Sequence, residues 1–381
     1  MRRLFLPLLL AVGCAEPAPQ KADETPTDTG PAETPEDTGE PPEDTTPPED
    51  TSPPEDTSPP EDTTPPEDTS PPEPDAFQEC FWPTYGDEGW YDPDYAQFEP
   101  TLGSHCVGTN HQDVLDIERV VFVGDSITVG SPPTPDDQFY RSVLADMLAA
   151  EYGLDAPSWL WKGVNIIDGT SLIMEDGDFA SCAKWGARTD DLMQDHDQIV
   201  DCIPEDQRDK ATLVVMTAGG NDLFNLTQGF IDGEPVEDLW AQTFEFMELM
   251  REAVEWLTEP GRFPNGVYVV FANLYEYTDG TGDFTTCPGA EFAGFGVMTD
   301  PAWFEMIQWA QEEYMAIATE YGVDMLFLNE SFCGHGYDRD DPNNRCYREP
   351  SAELWFDLTC IHPSPEGHAA IAEMFYAIVT E

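Results

Sequence analysis

Short apolar runs alternate with amphipathic segments from about residue 119 to the end of the chain. Runs that are rich in β-branched residues and are followed by glycine or polar residues predict buried strands. The four clearest runs are residues 120–123, 211–217, 266–272 and 323–328. We expect a further strand near residues 163–167, so the pattern predicts five strands.

The segments between these runs carry apolar residues three and four positions apart, which predicts core-facing helices. The expected helices are residues 138–152, 190–202, 235–258, 301–321 and 365–379. The last two begin with a capping residue followed by proline, Asp300-Pro301 and Ser364-Pro365. Strands that alternate with helices predict an α/β fold, a three-layer α/β/α sandwich with a five-stranded, mainly parallel sheet.

The first residues differ in composition from the rest. Residues 1–13 contain Arg2, Arg3 and an apolar run, which is typical of an export signal. Their end, Ala11-Val12-Gly13-Cys14, resembles a bacterial lipobox. The resemblance implies that Cys14 becomes a lipidated first residue and that acyl chains hold the protein at a membrane. The alternative is an ordinary signal peptide that is cleaved elsewhere.

Residues 14–75 have almost no apolar side chains, and from Pro41 they repeat the motif PPEDTS or PPEDTT. Such a sequence cannot bury a core, and proline together with repelling carboxylates favours an extended chain. We therefore predict a disordered acidic linker. Residues 76–381 are long enough for one folded domain.

The formal net charge is −62 at pH 7, and the predicted domain alone has 57 acidic against 12 basic residues. Binding to nucleic acid depends on basic residues that neutralise phosphates, so this charge argues against such a partner. An acidic surface is also compatible with a saline habitat.

Eight cysteines remain after Cys14. An even number that follows an export signal predicts disulfide bonds. Pairing of sequence neighbours, Cys80 with Cys106 and Cys346 with Cys360, is the first choice. Neither a CxxC nor an HxxxH spacing occurs, so we predict no metal site.

Three motifs that carry chemically active residues follow strands or precede a helix in this arrangement. They are GDSIT at Gly124, GGND at Gly219 and CIHPSPEGH at Cys360. In an open α/β sheet, ligands bind at the carboxyl ends of the strands, which is where Ser126 lies. A hydrolytic serine needs a base within hydrogen-bond reach and donors for the developing oxyanion, and these motifs supply both.

Together the motifs resemble those of the SGNH, or GDSL, hydrolases. The resemblance implies a flavodoxin-like α/β/α fold with Ser126 as nucleophile and His362, in IHPS, as base. It further implies an oxyanion hole made by the backbone N–H groups of Ser126 and Gly186, in KWGARTDDL, and by the side-chain amide of Asn221, in GGND. No cofactor or metal is implied.

The third catalytic group has two candidates in the sequence, because the family has an aspartate three residues before its histidine and this chain has Thr359 there. The nearest carboxylate is Asp357. Either Asp357 contacts the imidazole, or the backbone carbonyl of Thr359 orients His362 in a dyad. His368 is a competing base, but its position inside the last predicted helix favours a packing role.

These observations predict a monomeric serine esterase, lipid-anchored in the bacterial cell envelope at the outer membrane or cell surface. Its expected substrates are lipid, acyl or aryl esters. The alternatives are a deacetylase of acetylated glycans and a surface-displayed, non-catalytic binding lipoprotein with an SGNH-like fold.

Overall fold

The structure, a computed structural model, describes residues 76–81, 93–194, 197–289 and 296–381. The predicted signal segment of residues 1–13, Cys14 and the linker of residues 14–75 lie outside the described residues. The lipid anchor, the linker and the domain boundaries therefore stay predictions.

A central sheet and a small hairpin contain the strands of the described residues. The strands are β1 Arg119–Gly124, β2 Val164–Asn165, β3 Thr170–Ser171, β4 Glu175–Asp176, β5 Phe179–Ser181, β6 Thr212–Thr217, β7 Val267–Ala272 and β8 Asp324–Leu326. The central sheet has six strands in the order β4-β5-β1-β6-β7-β8. Every neighbouring pair is parallel except β4 and β5, which form an antiparallel edge.

The α-helices of the described residues fall between and after these strands. They are α1 Ala76–Phe81, α2 Ser126–Val129, α3 Tyr140–Tyr152, α4 Trp159–Lys162, α5 Gln198–Cys202, α6 Gly220–Asp232, α7 Val236–Thr258, α8 Pro301–Tyr321, α9 Leu328–Phe332 and α10 Pro365–Val379. Short 3₁₀ helices occur at Tyr95–Phe98, Asp136–Gln138, Thr189–Leu192, Glu205–Gln207 and Phe284–Thr286. None of the described helices is both long and apolar enough to cross a bilayer.

The apolar strand residues form a core on each face of the sheet, because successive side chains of a strand point to opposite faces. Val121 and Val123 of β1 belong to one buried cluster, with residues of α7 and α8. Val120 and Phe122 belong to the other, with residues of α3 and α10. The predicted three-layer α/β/α sandwich is therefore confirmed, with five parallel strands and one antiparallel edge strand.

The prediction of a central strand near residues 163–167 is wrong. Val164 and Asn165 belong to the separate β2–β3 hairpin, whose turn leaves Ile166 and Ile167 exposed. The position beside β1 is occupied instead by β5, which has only three residues between Asp178 and Cys182. Such a short strand has too few residues to show a period.

The single helix that was predicted for residues 190–202 is also wrong. The described residues contain a 3₁₀ turn, Thr189–Leu192, and the short α5, and Asp197 before α5 has a left-handed φ of 46°. The predictions for α3, α7, α8 and α10 are confirmed to within two residues. Both predicted caps are present, since Asp300 accepts a hydrogen bond from Ala302 N–H and Ser364 accepts one from Gly367 N–H.

Four disulfide bonds join the eight cysteines that follow Cys14, and they confirm only one of the two expected pairs. Cys80–Cys106 is confirmed, whereas Cys346–Cys360 is wrong because each of these residues pairs elsewhere. The four pairs are Cys80–Cys106, Cys182–Cys202, Cys287–Cys360 and Cys333–Cys346. Cys287–Cys360 fastens the segment before α10 to the loop that follows β7.

A buried arginine supports the short helix α2. The Arg141 side chain is fully buried, and its guanidinium donates hydrogen bonds to the backbone carbonyls of Val129, Trp161 and Lys162. Val129 is the last residue of α2. The guanidinium therefore ties the end of α2 to α4, and the indole ring of Trp161 lies against it, 4.6 Å from the guanidinium carbon.

We expect Arg141→Ala to lower the free energy of unfolding by about 3 kcal/mol or more, because three carbonyls lose their donor and a cavity opens. Urea unfolding followed by near-UV circular dichroism measures this change. Arg251→Ala is the control, because Arg251 forms partly exposed ion pairs with Glu313 and Glu320. Its loss should stay below about 1 kcal/mol. Equal losses in the two variants would contradict the role given to Arg141.

Candidate active site

Ser126 lies at the carboxyl end of the central strand β1, as the first residue of α2. The chain turns tightly there: Gly124 has a φ of 120°, and a Cβ at this position would lie 1.8 Å from the carbonyl oxygen of Thr217. The Asp125 carboxylate caps α2, since its Oδ1 accepts hydrogen bonds from Ile127 N–H and Thr217 Oγ1, both at 2.9 Å. The close packing of β6 therefore fixes where the serine hydroxyl projects.

His362 lies in the segment that precedes α10, across from Ser126. This segment forms a narrow loop, closed by a β-bridge between Phe356 and Pro363 and by the hydrogen bond from Asp357 N–H to His362 O at 2.9 Å. The disulfide bond Cys287–Cys360 holds the tip of the loop. The imidazole is thus held by a covalently fastened turn.

The side chains of Ser126 and His362 are in hydrogen-bond contact, with 2.9 Å between Oγ and Nε2. Burial disfavours the imidazolium ion and lowers the pKa of His362 to about 4. At neutral pH the ring is therefore uncharged. Its unprotonated nitrogen can accept the serine proton, which is the arrangement required of a general base.

Asp357 does not contact the imidazole, and the backbone carbonyl of Thr359 does not orient it either. The Thr359 hydroxyl lies between them, 2.9 Å from His362 Nδ1 and 2.5 Å from Asp357 Oδ1. Asp357 Oδ1 also accepts a hydrogen bond from Thr359 N–H at 2.8 Å. Neither of the two arrangements that we expected from the sequence is present. The sequence pointed only to the backbone carbonyl of Thr359, and the role of its side chain was not predicted.

His368 is a packing residue, as its place in the last helix predicted. Its side chain is 1% exposed, and its Nδ1 accepts a hydrogen bond from Tyr140 N–H at 3.2 Å. Burial lowers the pKa of His368 to about 3. It is therefore neutral and lies within the helical layer formed by α3 and α10.

Gly186 belongs to a loop that the first turn of α6 holds in place. Asn221 Nδ2 donates a hydrogen bond to Ala187 O at 2.7 Å, and Asp222 accepts hydrogen bonds from the N–H and the hydroxyl of Thr189. Lys184 N–H donates to Gly124 O at 3.0 Å, which brings the loop to the end of β1. Gly186 has a φ of 75°, and its N–H has no hydrogen-bond partner among the described residues.

Ser126, Asn221 and His362 face one cleft that is partly open to solvent. Apart from these residues and a few polar neighbours, its walls are apolar or aromatic. The apolar and aromatic lining residues are Ile127, Leu223, Phe224, Leu274, Tyr275, Tyr277, Phe284, Trp303, Leu328, Phe356 and Ile361. Apolar walls with a few convergent polar groups are typical of sites for small organic ligands.

Within residues 76–81, 93–194, 197–289 and 296–381, no group of three or more histidine, cysteine, aspartate or glutamate side chains is arranged to hold a metal ion.

Comparison of the fold with solved structures finds esterases and lipases. An extracellular lipase from Streptomyces rimosus has 16% identity and a TM-score of 0.40, over 68% of this chain and 99% of that one. A phospholipase A1 from Streptomyces albidoflavus has 15% identity and a TM-score of 0.39, over 68% and 99%. A carbohydrate acetylesterase from Sinorhizobium meliloti has 14% identity and a TM-score of 0.38, over 68% and 99%.

Comparison with curated protein sequences finds no match. A sequence model of the GDSL-like lipase/acylhydrolase family, in contrast, matches residues 122–370. This range includes the turn after β1, the first turn of α6 and the loop before α10, and it covers about two thirds of the 381 residues. The chain belongs to the GDSL-like lipase/acylhydrolase family and is an ester-hydrolysing serine hydrolase.

Proposed function

We propose that the protein hydrolyses carboxylic esters through a covalent acyl-enzyme, with Ser126 as nucleophile and His362 as base. The observation that carries this proposal is the 2.9 Å contact between Ser126 Oγ and His362 Nε2 inside the apolar cleft. As the serine oxygen bonds to the ester carbonyl carbon, its proton passes to Nε2. The tetrahedral intermediate then collapses, and the leaving alkoxide takes the proton from His362. Water repeats the sequence in the second half and releases the acid.

The negative charge on the carbonyl oxygen needs donors that are already in place. Ser126 N–H is the first N–H of α2, and such groups have no acceptor inside their own helix. Gly186 N–H is unpaired among the described residues. Asn221 Nδ2 carries two hydrogens, and only one is needed for Ala187 O. These three donors support the proposed oxyanion hole.

The walls of the cleft support lipid, acyl or aryl esters as substrates. Phe224, Phe284, Trp303 and Ile361 offer apolar surface rather than hydrogen-bond partners for sugar hydroxyls. Burial of apolar area is favourable at about 25 cal/mol per Å², so an acyl chain or an aryl ring gains more here than an acetylated glycan does. We therefore place acyl and aryl esters ahead of glycan acetates.

The sequence before the domain supports a location outside the cytoplasm. An apolar run after two arginines ends at Cys14, and the acidic linker follows. We propose export, lipidation at Cys14 and retention in the bacterial cell envelope. In this arrangement the linker separates the hydrolase domain from the membrane.

Ser126→Ala should abolish turnover of p-nitrophenyl esters, from acetate to palmitate, because Ser126 is the one hydroxyl among the described residues that contacts His362 Nε2. A phosphonylating reagent that reacts with serine hydrolases should add one group to the unaltered chain and none to the variant, as intact mass measures. Ser104→Ala, which changes an exposed serine, is the control and should be labelled normally. Turnover or labelling that survives in Ser126→Ala would contradict the proposal.

Asn221→Ala should lower kcat by about two to three orders of magnitude, equivalent to about 3 to 4 kcal/mol of transition-state stabilisation, with little change in KM. Steady-state kinetics on the best p-nitrophenyl ester measures this loss. Asn343→Ala, in an exposed loop, is the matched amide control and should leave kcat unchanged. A loss of less than tenfold in Asn221→Ala would remove this residue from the oxyanion hole.

Cys14→Ala should move the protein from the membrane fraction to the soluble fraction in a bacterial host, because it removes the proposed site of acylation. Metabolic labelling with an alkyne analogue of palmitate, followed by gel fluorescence, measures lipidation directly. We expect label on the unaltered chain and none on the variant. Equal labelling of both would show that Cys14 is not the anchor.

A further inference from the structure

The structure shows a chain of hydrogen bonds behind the catalytic pair. His362 Nδ1 lies 2.9 Å from Thr359 Oγ1, and Thr359 Oγ1 lies 2.5 Å from Asp357 Oδ1. Asp357 is buried, with 8% of its surface exposed, and its Oδ2 has no hydrogen-bond partner among the described residues. Within the described residues, the carboxylate thus accepts its hydrogen bonds from the hydroxyl and the N–H of Thr359, both at Oδ1.

The protons in this chain can be placed by counting donors. An ionised carboxylate only accepts hydrogen bonds, and a threonine hydroxyl has a single proton to donate. Thr359 therefore donates to Asp357 Oδ1. Thr359 Oγ1 also accepts a hydrogen bond from His362 N–H at 3.3 Å. Because the only proton of the hydroxyl goes to Asp357, Nδ1 must be the donor in the 2.9 Å contact with Thr359 Oγ1, so the Nδ1 atom carries the hydrogen.

The position of this hydrogen determines what His362 can do. A neutral imidazole has only one N–H, so a hydrogen on Nδ1 leaves Nε2 with a free lone pair. Nε2 is the atom that faces Ser126 Oγ at 2.9 Å. The ring is thereby held in the tautomer that can accept the serine proton.

We propose that Thr359 is a positioning residue, whose hydroxyl transmits the acceptor character of Asp357 to His362 and so fixes the tautomer of the base. Thr359 stands three residues before His362, at the position from which a carboxylate could have contacted the imidazole directly. This inference rests on the proposed function, in which His362 acts on Ser126. The geometry of the loop makes it possible: Cys360 has a left-handed φ of 73°, and Cys360 N–H donates to Asp357 O at 3.1 Å.

The charges around His362 agree with this assignment. His368 is neutral because burial lowers its pKa to about 3, and burial raises the pKa of Asp125 to about 6. Tyr275 and Tyr337 face Asp357 and stay protonated, because burial raises the pKa of each phenol. Burial raises the pKa of Asp357, and the hydrogen bonds from Thr359 offset only part of that rise. None of the charged groups among the described residues contacts the imidazole directly, so burial keeps its pKa low.

The first test compares Thr359→Val, which keeps the shape of the side chain, with Thr359→Ser, which keeps the hydroxyl. We expect Thr359→Val to lower kcat by about 10- to 100-fold, with KM changed less than about twofold. A loss of this size is typical when a metal-ligating histidine loses the hydrogen-bond partner of its other ring nitrogen. Thr359→Ser should retain kcat to within about threefold. A kcat near normal in Thr359→Val would overturn the proposal, and so would equal losses in both variants.

The second test uses the pH dependence of kcat/KM, which reports the pKa of the base in the free enzyme. In the unaltered chain, activity should fall as the pH drops through about 4, where His362 becomes protonated. In Thr359→Asp a carboxylate contacts Nδ1, stabilises the imidazolium ion, and should move this acidic limb upward by about 1 to 3 pH units. The limb of Thr359→Ser should stay in place.

An acidic limb that does not move in Thr359→Asp would overturn the contact between residue 359 and the imidazole. A role in packing alone would change kcat or stability but not the acidic limb of the pH profile.

The failure of this inference is distinguishable from that of the proposed function. If Ser126→Ala is inactive and Thr359→Val is fully active, only the role of Thr359 fails. If Ser126→Ala keeps its activity, the proposed mechanism itself fails.

Discussion

The hydrogen bond between Ser126 and His362 joins two points of the chain that are 236 residues apart, and the fold holds each of them from a different side. Ser126 is fixed by the sheet, because β1 lies between β5 and β6 and ends where Thr217 packs against Gly124. His362 is fixed by a loop whose tip is bonded covalently to Cys287. A parallel sheet gathers the ends of its strands at one edge, so a nucleophile on β1 and a base in the loop before α10 can meet there.

The parts of the fold that could be predicted from the sequence are those with a local pattern of apolar residues. Strands β1 and β6 are buried throughout, and β7 is buried over its last four residues. All three contain continuous apolar runs in the sequence, so their positions could be predicted. Strand β5 has only three residues, and its place in the sheet depends on pairing with β1 rather than on any local pattern. Disulfide pairing is equally non-local, since Cys360 reaches Cys287 across 73 residues instead of its neighbour Cys346.

In the candidate site, too, residues within local motifs could be predicted, whereas a role that depends on tertiary contacts could not. Ser126, Asn221 and His362 could be named from short motifs, and the structure brings all three to one cleft. The role of Thr359 could not be named, because a threonine in a loop has no distinctive spacing. Its importance arises only when a left-handed residue, Cys360, folds the loop so that Asp357 and His362 lie on either side of one hydroxyl. The spacing of carboxylates along the chain gives no sign of this arrangement.

The most direct test of this account is the tautomer of His362 at neutral pH, read from long-range ¹H–¹⁵N correlations in protein labelled with ¹⁵N-histidine. The chain has six histidines, and the His362→Gln spectrum identifies the signal of interest. We expect that Nδ1 carries the hydrogen and that Nε2, which faces Ser126, is unprotonated. A ring that is protonated at Nε2, or an even mixture of the two tautomers, would contradict it.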